Sequence, residues 1–301
     1  MTDNSDESVL LDHARFLVAL GDHDFESVVQ QCTEILDDPS EASERLARRI
    51  VGEHFAAHLT EQETWPDELD TDRLHRAFRE LDVSGIVARL DHTCCQNCGI
   101  SEIGGEIPAD EERRGYVFAH RQDMEAAVPG GGLTLSYGVR SRGDQPPEAQ
   151  AGIGEEVAGA LRRHGLTVDW NGSPKRRIDV SLTWRRRRFG PLAAWPGGEP
   201  DSSDRPLSVS YCDMPRGGVQ NAWVPVSFPQ ARDVLLTVAP YKGNYINFMI
   251  PSGGGLIASW GPGPDLTFEL PGDEESARHV TIAEAEEIVS VLAHEGRVAL
   301  P

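Results

Sequence analysis

Apolar residues at Val9, Leu10, Ala14, Phe16, Leu17 and Leu20, and again at Val28, Val29, Ile35 and Leu36, recur at the three- and four-residue intervals of a helix face. The spacing predicts two short helices, broken near Gly21-Asp22. A third is predicted from about Ser40, a candidate cap, to about Leu59, with Leu46, Ile50, His54 and Ala57 on one face. Trp65-Pro66 breaks the pattern, because the residue before a proline is pushed out of the helical region. Asp70 or Thr71 can then cap a helix carrying Leu74, Ala77, Phe78 and Leu81, which Gly85 ends.

Beyond Gly85 the period shortens. Ile86 to Leu90 read as a strand that delivers the chain into His92-Thr93-Cys94-Cys95-Gln96-Asn97-Cys98-Gly99. A polar, acidic loop through Pro108 to Glu112 follows. Then come a strand at Tyr116 to Ala119, a short helix at Gln122 to Val128, and a strand at Leu133 to Tyr137 behind three glycines. Ile153 to His164 is an amphipathic helix closed by Gly165, whose missing side chain permits a left-handed turn. Leu166 to Trp170 and Ile178 to Trp184 are strands joined through Asn171-Gly172. This order predicts an α+β sandwich with helices covering one face of a sheet.

Arg185 to Arg188 open a stretch without periodicity, rich in proline and glycine, that reads as a linker. After it, Leu207 to Tyr211 and Asn221 to Val226 are strands, and Ser227 caps a helix to about Val238. Tyr245 to Ile250, Leu256 to Trp260 and Leu266 to Leu270 form a meander, and Thr281 to Glu284 is a capping box opening the last helix. The expected fold class is therefore α+β. It comprises a helical region at 1–66, an α+β domain with the cysteine turn at 67–187, a linker at 188–206, and a smaller α+β domain at 207–301.

Composition narrows the function classes. The net charge is −21 over 301 residues, and acidic residues dominate the first seventy positions. Such a surface repels nucleic acid and anionic membranes, and its functional reading is an acidic face that docks a basic protein partner. Lys175-Arg176-Arg177 and Arg185 to Arg188 are the basic exceptions, expected to pair with the acidic N-terminal helices. Met1 to Ser8 lack the basic start and apolar core of a secretory signal, and no window reaches about 18 apolar residues. The expected location is the cytoplasm, where five cysteines are more readily free, metal-bound or redox-active than paired in structural disulfides.

Three of those cysteines fall together. Cys95 and Cys98 have the spacing that turns two sulfurs toward one ion, with Cys94 and His92, or a distant group such as His120 or Cys212, as further candidate donors for zinc. There is no second pair of this kind, and adjacent Cys94 and Cys95 reach one ion only through a strained turn. The same spacing suits a dithiol redox pair, although no helix start or aromatic lead-in announces one. The bland alternative is a packed turn. Cys32, alone on a helix, reads as a small buried hydrophobe. His120 and Asp123 follow a strand at the mouth of a helix, where Asp123 also serves as a helix-start carboxylate. No nucleophile elbow, zincin motif or phosphate loop occurs.

The motifs Thr93 to Gly99, Gly115 to Asp123, Gly131 to Gly138 and Val168 to Ser173 together resemble a bacterial domain family of unknown function. The resemblance covers about residues 8–187 and implies that the cysteine turn and His120 to Asp123 share one neighbourhood. The segment after residue 207 resembles bacterial toxin-immunity proteins in its Gly-Gly-Gly-Leu strand, its Leu-Thr-Phe-Glu-Leu strand and its closing helix. The favoured expectation is a non-enzymatic binding or regulatory protein, of the immunity kind, with an acidic partner-binding surface. The alternative is a zinc-dependent or thiol-based enzyme built on Cys94, Cys95, Cys98 and His120, with His92 and Asp123 beside them.

Overall fold

The computed structural model describes residues 4–36, 40–106, 113–140, 146–198, 205–214, 218–261, 264–298 and 300. The acidic loop at 108–112 and residues 199–204 of the expected linker lie outside these. The chain divides into two compact units, Met1–Leu69 with Trp184–Asp204, and Asp70–Thr183 with Arg205–Pro301. Among the described residues no helix is long and apolar enough to cross a membrane.

The first unit holds helices α1 (Asn4–Leu20), α2 (Phe25–Glu34) and α3 (Glu41–Gln62). Gly21, at φ 86°, makes the break between the first two, and Asp24 caps α2 by accepting the Ser27 amide at 2.8 Å. Ser40 and Ser43 cap α3 reciprocally. Of the apolar faces read from the sequence, Leu10, Ala14, Leu17, Val28, Val29 and Ile50 are buried, with Phe55 and Cys32 beside them, whereas Val9, Ile35 and Ala57 are exposed.

The arginine-rich segment closes this unit in a way the charge pattern does not announce. The last carbonyls of a helix have no partner within it. In α1 those of Leu17 and Val18 accept from the Arg188 guanidinium at 3.3 and 3.0 Å, and that of Ala19 from the Trp184 indole at 3.0 Å. Arg188 also donates to the carbonyls of His23 and Leu192 and lies over the Phe55 ring at 4.4 Å. Arg187 donates to the carbonyls of Pro66 and Asp67. In this run the expected pairing with helix carboxylates holds for Arg185, 3.7 Å from Glu61.

The second unit opens with α4 (Asp70–Val83), then β1 (Ile86–Arg89), α5 (Gln96–Glu102), β2 (Gly115–Phe118), α6 (Arg121–Ala127), β3 (Leu133–Val139), α7 (Pro147–Arg163), β4 (Thr167–Asp169) and β5 (Ile178–Ser181). These strands form one sheet in the order β1-β2-β3-β5-β4. The β1–β2 pair is parallel and the others antiparallel. Two motifs singled out in the sequence clasp each other here. The Trp170 indole donates to the Tyr137 hydroxyl at 3.2 Å, and that hydroxyl donates to the Ser173 carbonyl at 3.0 Å.

The same unit continues with β6 (Leu207–Asp213), β7 (Gly218–Val226), α8 (Phe228–Thr237), β8 (Tyr245–Met249), β9 (Gly255–Trp260), β10 (Leu266–Leu270), β11 (Asp273–His279) and α9 (Ile282–Glu295). Its strands make an antiparallel sheet ordered β11-β10-β9-β8-β6-β7. Both sheets with their helices give the expected α+β class. Arginines tie α4 to this segment. Arg76 forms a bidentate pair with Glu286 at 2.7 and 2.8 Å. Arg79 donates to the Leu236 carbonyl at 2.9 Å, and Arg232 reaches the buried Asp72 at 2.9 Å.

Candidate metal centre

The cysteine turn is built at the carboxyl end of β1. Asp91 and Thr93 both adopt left-handed backbone, at φ 52° and 61°, a conformation uncommon for residues with a side chain and maintained only where the surroundings impose it. They are imposed upon from the end of β2. The amide of His92 donates to the Ala119 carbonyl at 2.9 Å, and that of Arg121 to the Thr93 carbonyl at 3.0 Å. The Arg121 guanidinium lies 2.8 Å from the Asp91 carboxylate.

Past this corner Cys95 occupies the cap position of α5, where the residue pattern predicts only a turn. The helix start that a reactive thiol benefits from is therefore present. Two contacts hold α5 down. Gly99 lies flush on the Phe118 ring, where a methyl group would overlap it. Ile103, just beyond, is buried with Val87 and Phe118.

The result is a sulfur knuckle. The Sγ atoms of Cys94, Cys95 and Cys98 all lie within 4.8 Å of one another, and those of Cys94 and Cys98 are 3.6 Å apart. Zinc–sulfur bonds of about 2.3 Å in a tetrahedron separate the sulfurs by about 3.8 Å. The three cysteines are thus close enough to bind a metal ion, and the left-handed corner turns adjacent Cys94 and Cys95 to the same side. Among the described residues no other histidine, cysteine or carboxylate joins them within that distance. The knuckle is open, with Cys94 exposed and the other two half-buried.

The thiols differ electrostatically. The Cys98 backbone amide, then the Cys98 and Cys94 thiols, hold Cys95 below the usual thiol range. Cys98 is pushed up to about 11, chiefly by hydrogen bonding with the Cys94 thiol. Cys32 and Cys212 are buried elsewhere, and burial pushes Cys32 up to about 12, as befits a small apolar group.

The other sequence candidates do not join the knuckle within that distance. The His92 ring packs edge-on against Phe118, with centroids 5.5 Å apart. His120 sits where the Thr93 and Ala119 backbones meet, but its Nε2 is 3.1 Å from the Asp123 carboxylate. Asp123 also accepts the His120 amide at 3.1 Å, starting α6, and pairs with Arg177. Burial lowers the His120 pKa, against the pull of Asp123. Arg177 was missed because the basic run holding it reads as surface charge, and its neighbour Arg176 does pair with surface acids, Asp169 and Asp179. The left-handed corner was missed for another reason: Asp91 and Thr93 carry no glycine signal.

A model of the family described as Domain of unknown function (DUF6891) matches residues 3–188. The chain belongs to the DUF6891 family. The DUF6891 match takes in the three helices, the cysteine knuckle, and the clasp of Tyr137 and Trp170. It does not extend to the segment beyond residue 207, on which the likeness to immunity proteins rested. No curated protein and no solved structure matches the chain.

Proposed function

We propose that the protein binds Zn2+ through the thiolates of Cys94, Cys95 and Cys98, leaving the fourth position of the tetrahedron to a ligand from solution. The observation that carries this is the mutual approach of the three Sγ atoms within 4.8 Å on an accessible corner. Structural zinc sites are closed by four protein donors, whereas sites that work on a substrate keep three and leave one position open. Three donors and solvent exposure support the second kind, a metal centre that engages a small molecule or a partner's side chain. Here His120 acts from outside the coordination sphere, holding the α6 start in place through Asp123.

Zinc quantification of the full chain tests this reading. About one equivalent is expected after equilibration with buffered Zn2+, with loss of most of it in Cys98→Ser. Less than about a tenth of an equivalent in the unaltered protein would overturn the proposal. The 3.6 Å between Cys94 and Cys98 supports one other reading, a dithiol that closes to a disulfide on oxidation. Thiol titration separates the two: a metal site protects three thiols until a chelator is added, and a dithiol stays reactive.

A further inference from the structure

Within the second unit, α4, the end of α7, the facing ends of β9 and β10 and the start of α9 border a half-open cavity of about 580 Å³. We infer that this cavity binds a neutral, largely apolar small molecule. The inference goes beyond the zinc reading and does not depend on it, since no cysteine lines the cavity.

Size and surface set the first limit. The volume falls within the range of about 300–1,000 Å³ typical of small-molecule sites and is far above the roughly 30 Å³ share of one water. The buried side chains of Trp260, Leu266 and Val280 form part of the wall, and Pro240 and Ile282 extend it. Val83 is also in the wall and is 69% exposed, the most open large apolar side chain among the described residues. Apolar surface left in water is unfavourable, and a ligand that covers it recovers that free energy.

Charge sets the second limit. Every ionic side chain in the wall is engaged by the protein itself. Arg76 holds Glu286 at 2.7 and 2.8 Å, and Arg79 donates to Asp82 and to the Leu236 carbonyl. Glu80 is paired with Arg163 and with His164 at 2.9 Å, and Asp265 with His279 at 2.8 Å. A charged ligand would shed its water without gaining a counter-ion, whereas an apolar one loses little. The same bonds make the site preformed. They tie α4 to α9, to the end of α8 and to the end of α7, so the walls keep their spacing and binding costs little reorganisation. The family-matched part and the segment beyond residue 207 both contribute wall residues, so neither encloses the site alone.

Fluorescence titration of the full chain in EDTA tests the inference, using neutral N-phenyl-1-naphthylamine and its sulfonated counterpart 1-anilinonaphthalene-8-sulfonate. About 1 M salt, where the Debye length is about 3 Å, removes the bias from the chain's charge of −21. The neutral probe is expected to saturate one site per chain with half-saturation below about 1 mM, and the sulfonate to bind more weakly. Val83→Lys and Ala283→Trp, at exposed wall positions where substitution is tolerated, should each weaken the neutral probe at least about threefold. Trp223→Ala, exposed on β7 and outside the cavity, should leave its affinity within about twofold. Cys98→Ser should do the same while abolishing zinc binding, so the two readings fail separately. No saturation below about 1 mM, a sulfonate that binds as tightly, a smaller loss in either cavity variant or a comparable loss in Trp223→Ala would overturn the inference. So would a dimer that dissociates in sedimentation as the probe binds, because the occupant would then be a second copy of the chain.

Discussion

Arg188 is fully buried, and its guanidinium is solvated by main-chain carbonyls in place of water. Burial pulls its pKa down to about 10, so the charge persists at neutral pH and is set against the negative end of the α1 dipole. Arg188→Met keeps much of the apolar stem but leaves those carbonyls without a donor. A loss of about 3 kcal/mol is expected from urea unfolding, because buried acceptors left unpaired cost about 1–3 kcal/mol each. A loss below about 1 kcal/mol would show that water replaces the guanidinium. The arginine's presence was plain in the sequence, but its partners are carbonyls, which every residue carries, so nothing in the residues disclosed the packing. Cys32 was legible, because an isolated cysteine on an apolar helix face has one ordinary fate.

At the scale of elements, legibility followed periodicity. The helices α1 to α4 and α7 were readable from apolar spacing, caps and terminal glycines. The strands β8, β9 and β10 were readable from alternation. Two elements were not. In α5 the inward residue is Gly99, while Ile100 faces solvent, so the apolar pattern is inverted. β11, Asp-Glu-Glu-Ser-Ala-Arg-His, is a charged edge strand with no apolar face, a composition that blocks further strand pairing. Past the left-handed corner it is α5 that brings Cys98 round to Cys94, so the cysteines were legible but their convergence was not. Gly99→Ala should force α5 off Phe118, costing about 1–3 kcal/mol as overpacking does. Zinc affinity should fall at least about tenfold, measured by competition with a chromophoric chelator. Unchanged affinity would show that α5 does not set the sulfur geometry.

For the whole molecule, the α+β class and the acidic balance were open to view, and the first unit holds a buried histidine that makes it sensitive to acid. In the first unit His58 bonds the Arg186 carbonyl at 2.9 Å. Burial, with the Arg188 charge, pushes its pKa from 6.5 to about 4. The unfolded chain then takes up this proton before the folded one does. Stability is complete above pH 6.5 and declines as pH falls toward 4, by up to about 3 kcal/mol from this residue. Hydrogen exchange should therefore show amides of α1 to α3 losing protection between pH 7 and 5, with the loss reduced in His58→Gln. An identical pH response in the variant would contradict this assignment.

The central claim is that three sulfurs on one corner form an open metal centre. X-ray absorption at the zinc edge of the loaded protein tests it most directly. Among the described residues no fourth cysteine joins the three within 4.8 Å. The account predicts three sulfur neighbours at about 2.3 Å and one nitrogen or oxygen at about 2.0 Å. A shell dominated by nitrogen and oxygen, or one of four sulfurs, would contradict it.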